Sequence, residues 1–241
     1  MLRIVNFGIT VKVRYNSSSM IQIKICGITN FDDALAAVDA GADALGFVFY
    51  PGSPRAVSPK MAAGIVARLP ESITPVGVFV DEDQHIVRET LRQCSLRIAQ
   101  LHGSESAEYC STLGCSVIKG LRIKTLPDAE ILAGYHVLAF LLDAFVAGVP
   151  GGTGSRLDWD LVSSIHAPHP IILAGGLTSE NVGEAIRRVR PHAVDVSSGV
   201  ERGPRRKDPA KMNAFVISAR AGFASLSDPV AGQGKRHAID G

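Results

Sequence analysis

Apolar residues in this chain fall into short, nearly unbroken runs, each followed by a stretch in which apolar and polar positions recur with helical spacing. Short β-branched runs bounded by turn residues read as strands, and the 3.6-residue recurrence reads as amphipathic helix. The pattern predicts a strand over Ile21–Ile25 and a helix over Asp32–Ala40, then Ala44–Phe49 with Pro59–Leu69, and Pro75–Val80 with Gln84–Gln93. It continues as Leu96–Leu101 with Glu105–Leu113, Ser116–Gly120 with Asp128–Ala133, and Val137–Leu142 with Asp158–Ile165. Pro170–Leu173 with Ser179–Val189 and Ala193–Val196 with Asp208–Arg220 close the series. The period is one strand and one helix, eight times over.

Runs such as Leu138–Leu142 and Ile171–Ala174 carry no polar alternation, so both faces of their strands are covered, which marks a parallel sheet. Eight strand–helix units predict the α/β class and a single (β/α)8 TIM barrel rather than an open doubly wound sheet. No G-x-G-x-x-G follows the first strand, which also speaks against a dinucleotide fold. In the sixth unit Pro150 and Gly151–Gly154 push the helix start late.

The barrel accounts for residues 20–220. Residues 1–19 have three basic side chains and no acid, end in Asn16-Ser17-Ser18-Ser19, and precede a second Met at position 20. Asn6 and Lys12 interrupt any signal-peptide core; the basic, Ser-containing, acid-free composition leaves an organelle-targeting reading open, but the stretch reads rather as a disordered extension or a mis-assigned start, before a working domain that starts near Met20. Residues 221–241 lack apolar periodicity and read as a flexible tail.

Composition narrows the class further. With 25 basic and 23 acidic side chains in 241 residues the net charge is only +2, which excludes a strongly polyanion-directed protein. The basic cluster at Arg202–Lys207 reads as solvated loop, and no nucleic-acid partner is expected. No apolar run approaches the roughly 18–20 residues of a membrane span, so the expectation is a cytoplasmic protein without a membrane partner. Four cysteines, at 26, 94, 110 and 115, form no CxxC pair and have no His at zinc spacing. Neither a disulfide framework nor a metal site is expected.

In a barrel the chemistry lies where strands end, at the C-terminal mouth. Gly175-Gly176 after the seventh strand and Ser198-Gly199 after the eighth read as a cradle bringing backbone N–H groups to a phosphate. Tight turns that need glycine would look the same, but both pairs fall on adjacent strands at the correct end. Cys26 and Asp143, at the ends of the first and sixth strands, can act as a proton-transfer pair. Arg55, between prolines after the second strand, can grip a carboxylate bidentately or sit on the surface. His102 could serve as a base, but reads rather as a strand-end hydrogen-bonding residue and at most a minor contact.

The strings KICGITN (24–30), DALGFVFYPGSPRAVSP (43–59), VGVFVDE (76–82), QLHG (100–103), LLDAF (141–145), GGTG (151–154), LAGGLTSENV (173–182) and AVDVSSGVE (193–201) resemble the phosphoribosylanthranilate isomerase family. The resemblance spans about Ile21 to Phe215 and covers all eight units in order. It implies an Amadori rearrangement in tryptophan biosynthesis, N-(5′-phosphoribosyl)anthranilate to 1-(o-carboxyphenylamino)-1′-deoxyribulose 5′-phosphate, on a small phosphorylated substrate and without cofactor. Matched motif by motif, it makes Cys26 the general base and Asp143 the general acid. It also assigns Arg55 to the anthranilate carboxylate, and Gly175, Gly176, Ser198 and Gly199 to the phosphate. Two other readings remain. A histidine-pathway sugar-phosphate isomerase barrel would place an aspartate where Cys26 stands, and a non-catalytic phosphate-binding barrel would have no use for Cys26 or Asp143. The oligomeric state is not legible in the sequence.

Overall fold

A computed structural model describes residues 21–123, 125, 129–144 and 158–227. The expected N-terminal extension, Pro150 and the glycines at 151–154 lie outside these residues. Eight strands alternate with helices in the order β1 (Ile23–Cys26), α1 (Phe31–Asp39), β2 (Ala44–Val48), α2 (Pro59–Val66), β3 (Thr74–Phe79), α3 (Gln84–Gln93), β4 (Ile98–Leu101) and α4 (Ala107–Thr112). The second half follows as β5 (Ser116–Ile123), α5 (Ala129–Ala133), β6 (Ala139–Ala144), α6 (Trp159–Ser163), β7 (Ile171–Leu173), α7 (Val182–Val189), β8 (Ala193–Val196) and α8 (Pro209–Ser227). The strands pair in parallel in chain order, and β8 pairs with β1 to close the barrel.

Alternation along each strand divides the apolar residues into two cores. Ile23, Ile25, Leu45, Phe47, Leu101, Phe140 and Val194 face outward and pack beneath the helices. Ala44, Val76, Ile98, Ile118, Leu141, Ile172 and Ala193 fill the barrel interior. Burial on both faces is why the strands read as continuous apolar runs.

Polar residues at the strand-to-helix turns start several helices by capping their first N–H groups. Asn30 accepts from Asp33 N, Ser58 from Met61 N, Ser106 from Tyr109 N, and Asp158 from Asp160 N and Leu161 N. These caps fix the loops on the mouth side, where functional side chains are carried.

Two features depart from the sequence reading. Helix α8 runs past the expected end at Arg220 to Ser227, so residues 221–227 are helical rather than tail. Between β8 and α8 a 3-10 turn (Ser198–Val200) leads into a hairpin of β9 (Glu201–Gly203) and β10 (Arg206–Lys207), with Arg205 left-handed at φ 66° in its turn. The basic cluster in this hairpin is not simply solvated, because Lys207 is fully buried. Among the described residues, no helix is long and apolar enough to cross a membrane.

Candidate active site

Lys24 and Cys26 lie on one face of β1 and point into the barrel, while Ile23 and Ile25 point outward into the helix layer. Opposite Cys26 in the β1–β2 register stands Gly46, and a Cβ there would come within 2.6 Å of the cysteine sulfur. A glycine in mid-strand normally weakens a sheet, and here it makes room for the thiol. Burial pushes the Cys26 pKa up; Lys24 pulls it down, Asp195 pushes it up and Lys207 pulls it down, with the net result above the ordinary thiol value.

Asp143, near the end of β6, is almost fully buried, and its Oδ2 lies 3.5 Å from His102 Nε2 at the end of β4. The Gln100 side-chain amide is 3.0 Å from His102 Nδ1. An amide N–H donated to Nδ1 would leave the ring proton on Nε2, the side toward Asp143. His102 is therefore a direct neighbour of the candidate acid.

Arg55 sits in the loop after β2, which turns at Tyr50–Ser53 and folds back so that Val57 N donates to Val48 O. The Arg55 guanidinium makes the bidentate grip expected of it, but on a protein carboxylate: Nε and Nη2 donate to Glu201 Oε1 and Oε2, both at 2.7 Å. Lys207 Nζ reaches the same Glu201 Oε1 at 3.0 Å and donates to Ser197 O at 2.9 Å. Burial pushes the Glu201 pKa up, and Arg55 and Lys207 more than offset it, so the group ionises below the usual glutamate value. Lys207 responds the other way, because burial outweighs its single carboxylate and lowers its pKa. Glu201 is thus shared unequally, holding Arg55 with both oxygens and Lys207 with one.

Gly175 (φ 82°) and Gly176 (φ 68°) occupy the left-handed region, where a side chain would be strained. Gly199 has a different reason to be glycine: a Cβ would overlap the Leu177 carbonyl oxygen. The turns after β7 and β8 thus press together without side chains between them. Cys26, Asp143, Arg55, Gly175, Gly176, Ser198 and Gly199 all line one cleft at the mouth that opens to solvent.

Four charged residues at this cleft carried no role in the sequence: Asp195, which lines it, and Lys24, Glu201 and Lys207 around it. Lys24 and Asp195 stood in mouth strings already noted, but strand alternation alone does not reveal that they pair with each other. Glu201 and Lys207 depend on a hairpin too short to give a strand signal.

A (β/α)8 barrel with a thiol and a carboxyl at its mouth, beside glycine turns on the last two strands, belongs to the class of barrels built for acid–base chemistry on phosphorylated ligands. Residues 23–218 match the family model described as N-(5'phosphoribosyl)anthranilate (PRA) isomerase. An N-(5'-phosphoribosyl)anthranilate isomerase of Pelobacter propionicus is 49% identical over 201 residues, 83% of this chain and 96% of the relative. The solved phosphoribosyl anthranilate isomerase of Thermus thermophilus superposes with a TM-score of 0.76 at 36% identity, covering 85% of this chain and 99% of its own. A second phosphoribosyl anthranilate isomerase structure, solved with reduced 1-(o-carboxyphenylamino)-1-deoxyribulose 5-phosphate, matches at TM-score 0.72 and 40% identity, covering 83% of this chain and 99% of its own. The chain belongs to the N-(5'-phosphoribosyl)anthranilate isomerase family.

Proposed function

We infer that the chain catalyses the Amadori rearrangement of N-(5′-phosphoribosyl)anthranilate in tryptophan biosynthesis. The observation that carries this is the convergence of Cys26, Asp143 and the glycine turns on one cleft. Family membership supplies the substrate. A histidine-pathway barrel is disfavoured by the thiol at position 26, and a non-catalytic barrel by the acid–base pair. The composition supports a cytoplasmic location.

In this reading the substrate phosphate rests against Gly175, Gly176, Ser198 and Gly199, which sets the sugar between Cys26 and Asp143. Asp143, protonated, gives its proton to the furanose ring oxygen as the C1′–O bond breaks, leaving a protonated Schiff base. Cys26, as thiolate, takes the C2′ proton, and the C2′–H electrons flow into the C1′–N system to give the enolamine. Tautomerisation yields the ketone, and the two residues exchange protons with solvent to reset. The anthranilate carboxylate meets Arg55 at Nη1, since Nε and Nη2 are engaged by Glu201.

The direct test is turnover by purified protein of phosphoribosylanthranilate generated in situ, followed by the loss of anthranilate-type fluorescence. Product with the chromatographic identity of the deoxyribulose phosphate is the expected result. Absence of turnover with intact fold overturns the reading.

A further inference from the structure

Lys24 is a cation with no solvent exposure, inside a barrel whose other walls are largely apolar. Such burial costs several kcal/mol in an isolated charge, so something must answer it. Asp195 does: it stands directly opposite Lys24 in the β1–β8 register, and Lys24 Nζ donates to its Oδ1 at 2.7 Å. Two apolar residues of equal volume would stabilise this layer at least as well as a buried ion pair. The pair is better explained by its neighbour. Cys26 lies one step up the same face of β1, close enough for the Lys24 charge to favour its thiolate.

We propose that Lys24 is a positioning residue for the Cys26 base, its ammonium held between Asp195 and the sulfur so that it balances the thiolate when Cys26 loses its proton. This rests on Cys26 being the base. When Cys26 is a thiol, Lys24 and Asp195 neutralise each other. When Cys26 ionises, one ammonium lies between two anions, and Asp195 limits how much of it the sulfur receives. Lys24 itself keeps its proton throughout: burial works against its charge, but Asp195 and then Cys26 leave its pKa above the ordinary lysine value.

The other charged groups around Cys26 do not supply this balance. Lys207, from β10, is the next cation acting on the sulfur, but it is bound to Glu201 and to Ser197 O. Arg55, from the loop after β2, is held by both Glu201 oxygens. Tyr50 packs beside Cys26 from the same loop, and His102 and Asp143 line the cleft from β4 and β6. Lys24 and Asp195 form the charged pair directly below the sulfur on the barrel's inner face.

Opposite signs make the proposal testable. Thiolate absorbance in the ultraviolet, taken as the difference from Cys26→Ser across a pH titration, reads Cys26 ionisation without substrate. In Lys24→Met the inflection should move about 1–3 pH units higher than wild type, the range for losing an adjacent opposite charge. In Asp195→Asn it should move about one pH unit lower, because a like charge is removed and the ammonium is released to the sulfur. Lys24→Arg, which keeps the charge, should stay near wild type. A structural pair would destabilise the fold in both cases without moving the inflection in opposite directions. An unmoved inflection in Lys24→Met, or an upward one in Asp195→Asn, overturns the proposal. If Lys24→Met does not fold, the direction in Asp195→Asn decides alone. The acid limb of kcat/KM should follow the same shifts. Thiolate shifts with an unmoved kcat/KM profile would leave Lys24 acting on Cys26 and remove Cys26 from the role of base.

Discussion

At the scale of single residues, the proposed mechanism divides one reaction between two protons at Cys26 and Asp143, so each should be needed for turnover and neither for phosphate affinity. Cys26→Ser replaces a thiol with a hydroxyl far too weak as a base, and Asp143→Asn keeps the shape without the transferable proton. Each should lose on the order of 10²-fold or more in kcat while binding a phosphate-bearing product analogue within a few-fold of wild type. Turnover like wild type in either variant removes that residue from the mechanism. Arg55 makes a softer prediction. Arg55→Ala should raise KM by roughly 30- to 150-fold, equivalent to a charge-assisted contact of about 2–3 kcal/mol, with kcat less affected. Unchanged kcat/KM would make Arg55 a structural partner of Glu201 only. Positions at strand ends were legible in the sequence because the barrel assigns them a place before any side chain is seen. The neighbours of those positions were not. Gly46 is an ordinary residue in a strand string, and only the register that sets it opposite Cys26 explains it.

At the scale of elements, the β9–β10 hairpin is the part that sequence periodicity could not resolve, since its strands are too short to alternate. It is nevertheless well tied. Lys207 N donates to Asp33 Oδ2, Thr29 Oγ1 donates to Arg205 O, and Arg205 Nη1 donates to Pro54 O. Through Glu201 it orients Arg55, and through Lys207 it reaches Ser197, beside the expected phosphate turn. Glu201 is thus the hinge pin between the two ends of the cleft. Its folded pKa lies below the ordinary value, because Arg55 and Lys207 outweigh burial. The corresponding stability is present above the ordinary glutamate pKa of about 4.3 and is lost as pH falls through the lower folded value. Glu201→Gln should cost about 3–5 kcal/mol, the range for breaking a buried pair on one side, and should raise KM together with it. It should also flatten the loss of stability on acidification below about pH 4, because the titrating group is gone. A Glu201→Gln protein with the same acid-unfolding profile as wild type would show that the triad does not hold the hairpin.

At the scale of the whole molecule, the barrel separates chemistry at one end from closure at the other. The mouth residues can be varied at little cost to the fold where the replacements are near-isosteric, and the opposite end can be weakened without touching the chemistry. Asp43 is the clearest case of the second kind. It precedes β2, and its Oδ2 accepts from Gln22 N at 3.0 Å and Ile23 N at 2.8 Å, which anchors the start of β1. Its Oδ1 accepts from Arg220 Nη2 at 2.6 Å, and Arg220 Nη1 donates to Gln22 Oε1, so the last helix is drawn onto the first strand. One carboxylate thereby ties the start of β1 to helix α8 from below. Arg220 is partly exposed, so its ion pair adds little, and most of the effect belongs to the two backbone N–H groups. Asp43→Ala should lose about 2–3 kcal/mol, from charge-assisted hydrogen bonds left unmade. In a domain of this size that lowers Tm by roughly 5–10 °C. Measured well below the transition, kcat/KM should stay within about two-fold of wild type, because no mouth residue moves. A large fall in kcat/KM with unchanged Tm would show that the two ends of the barrel are coupled, and that closure at the base sets the geometry of the site.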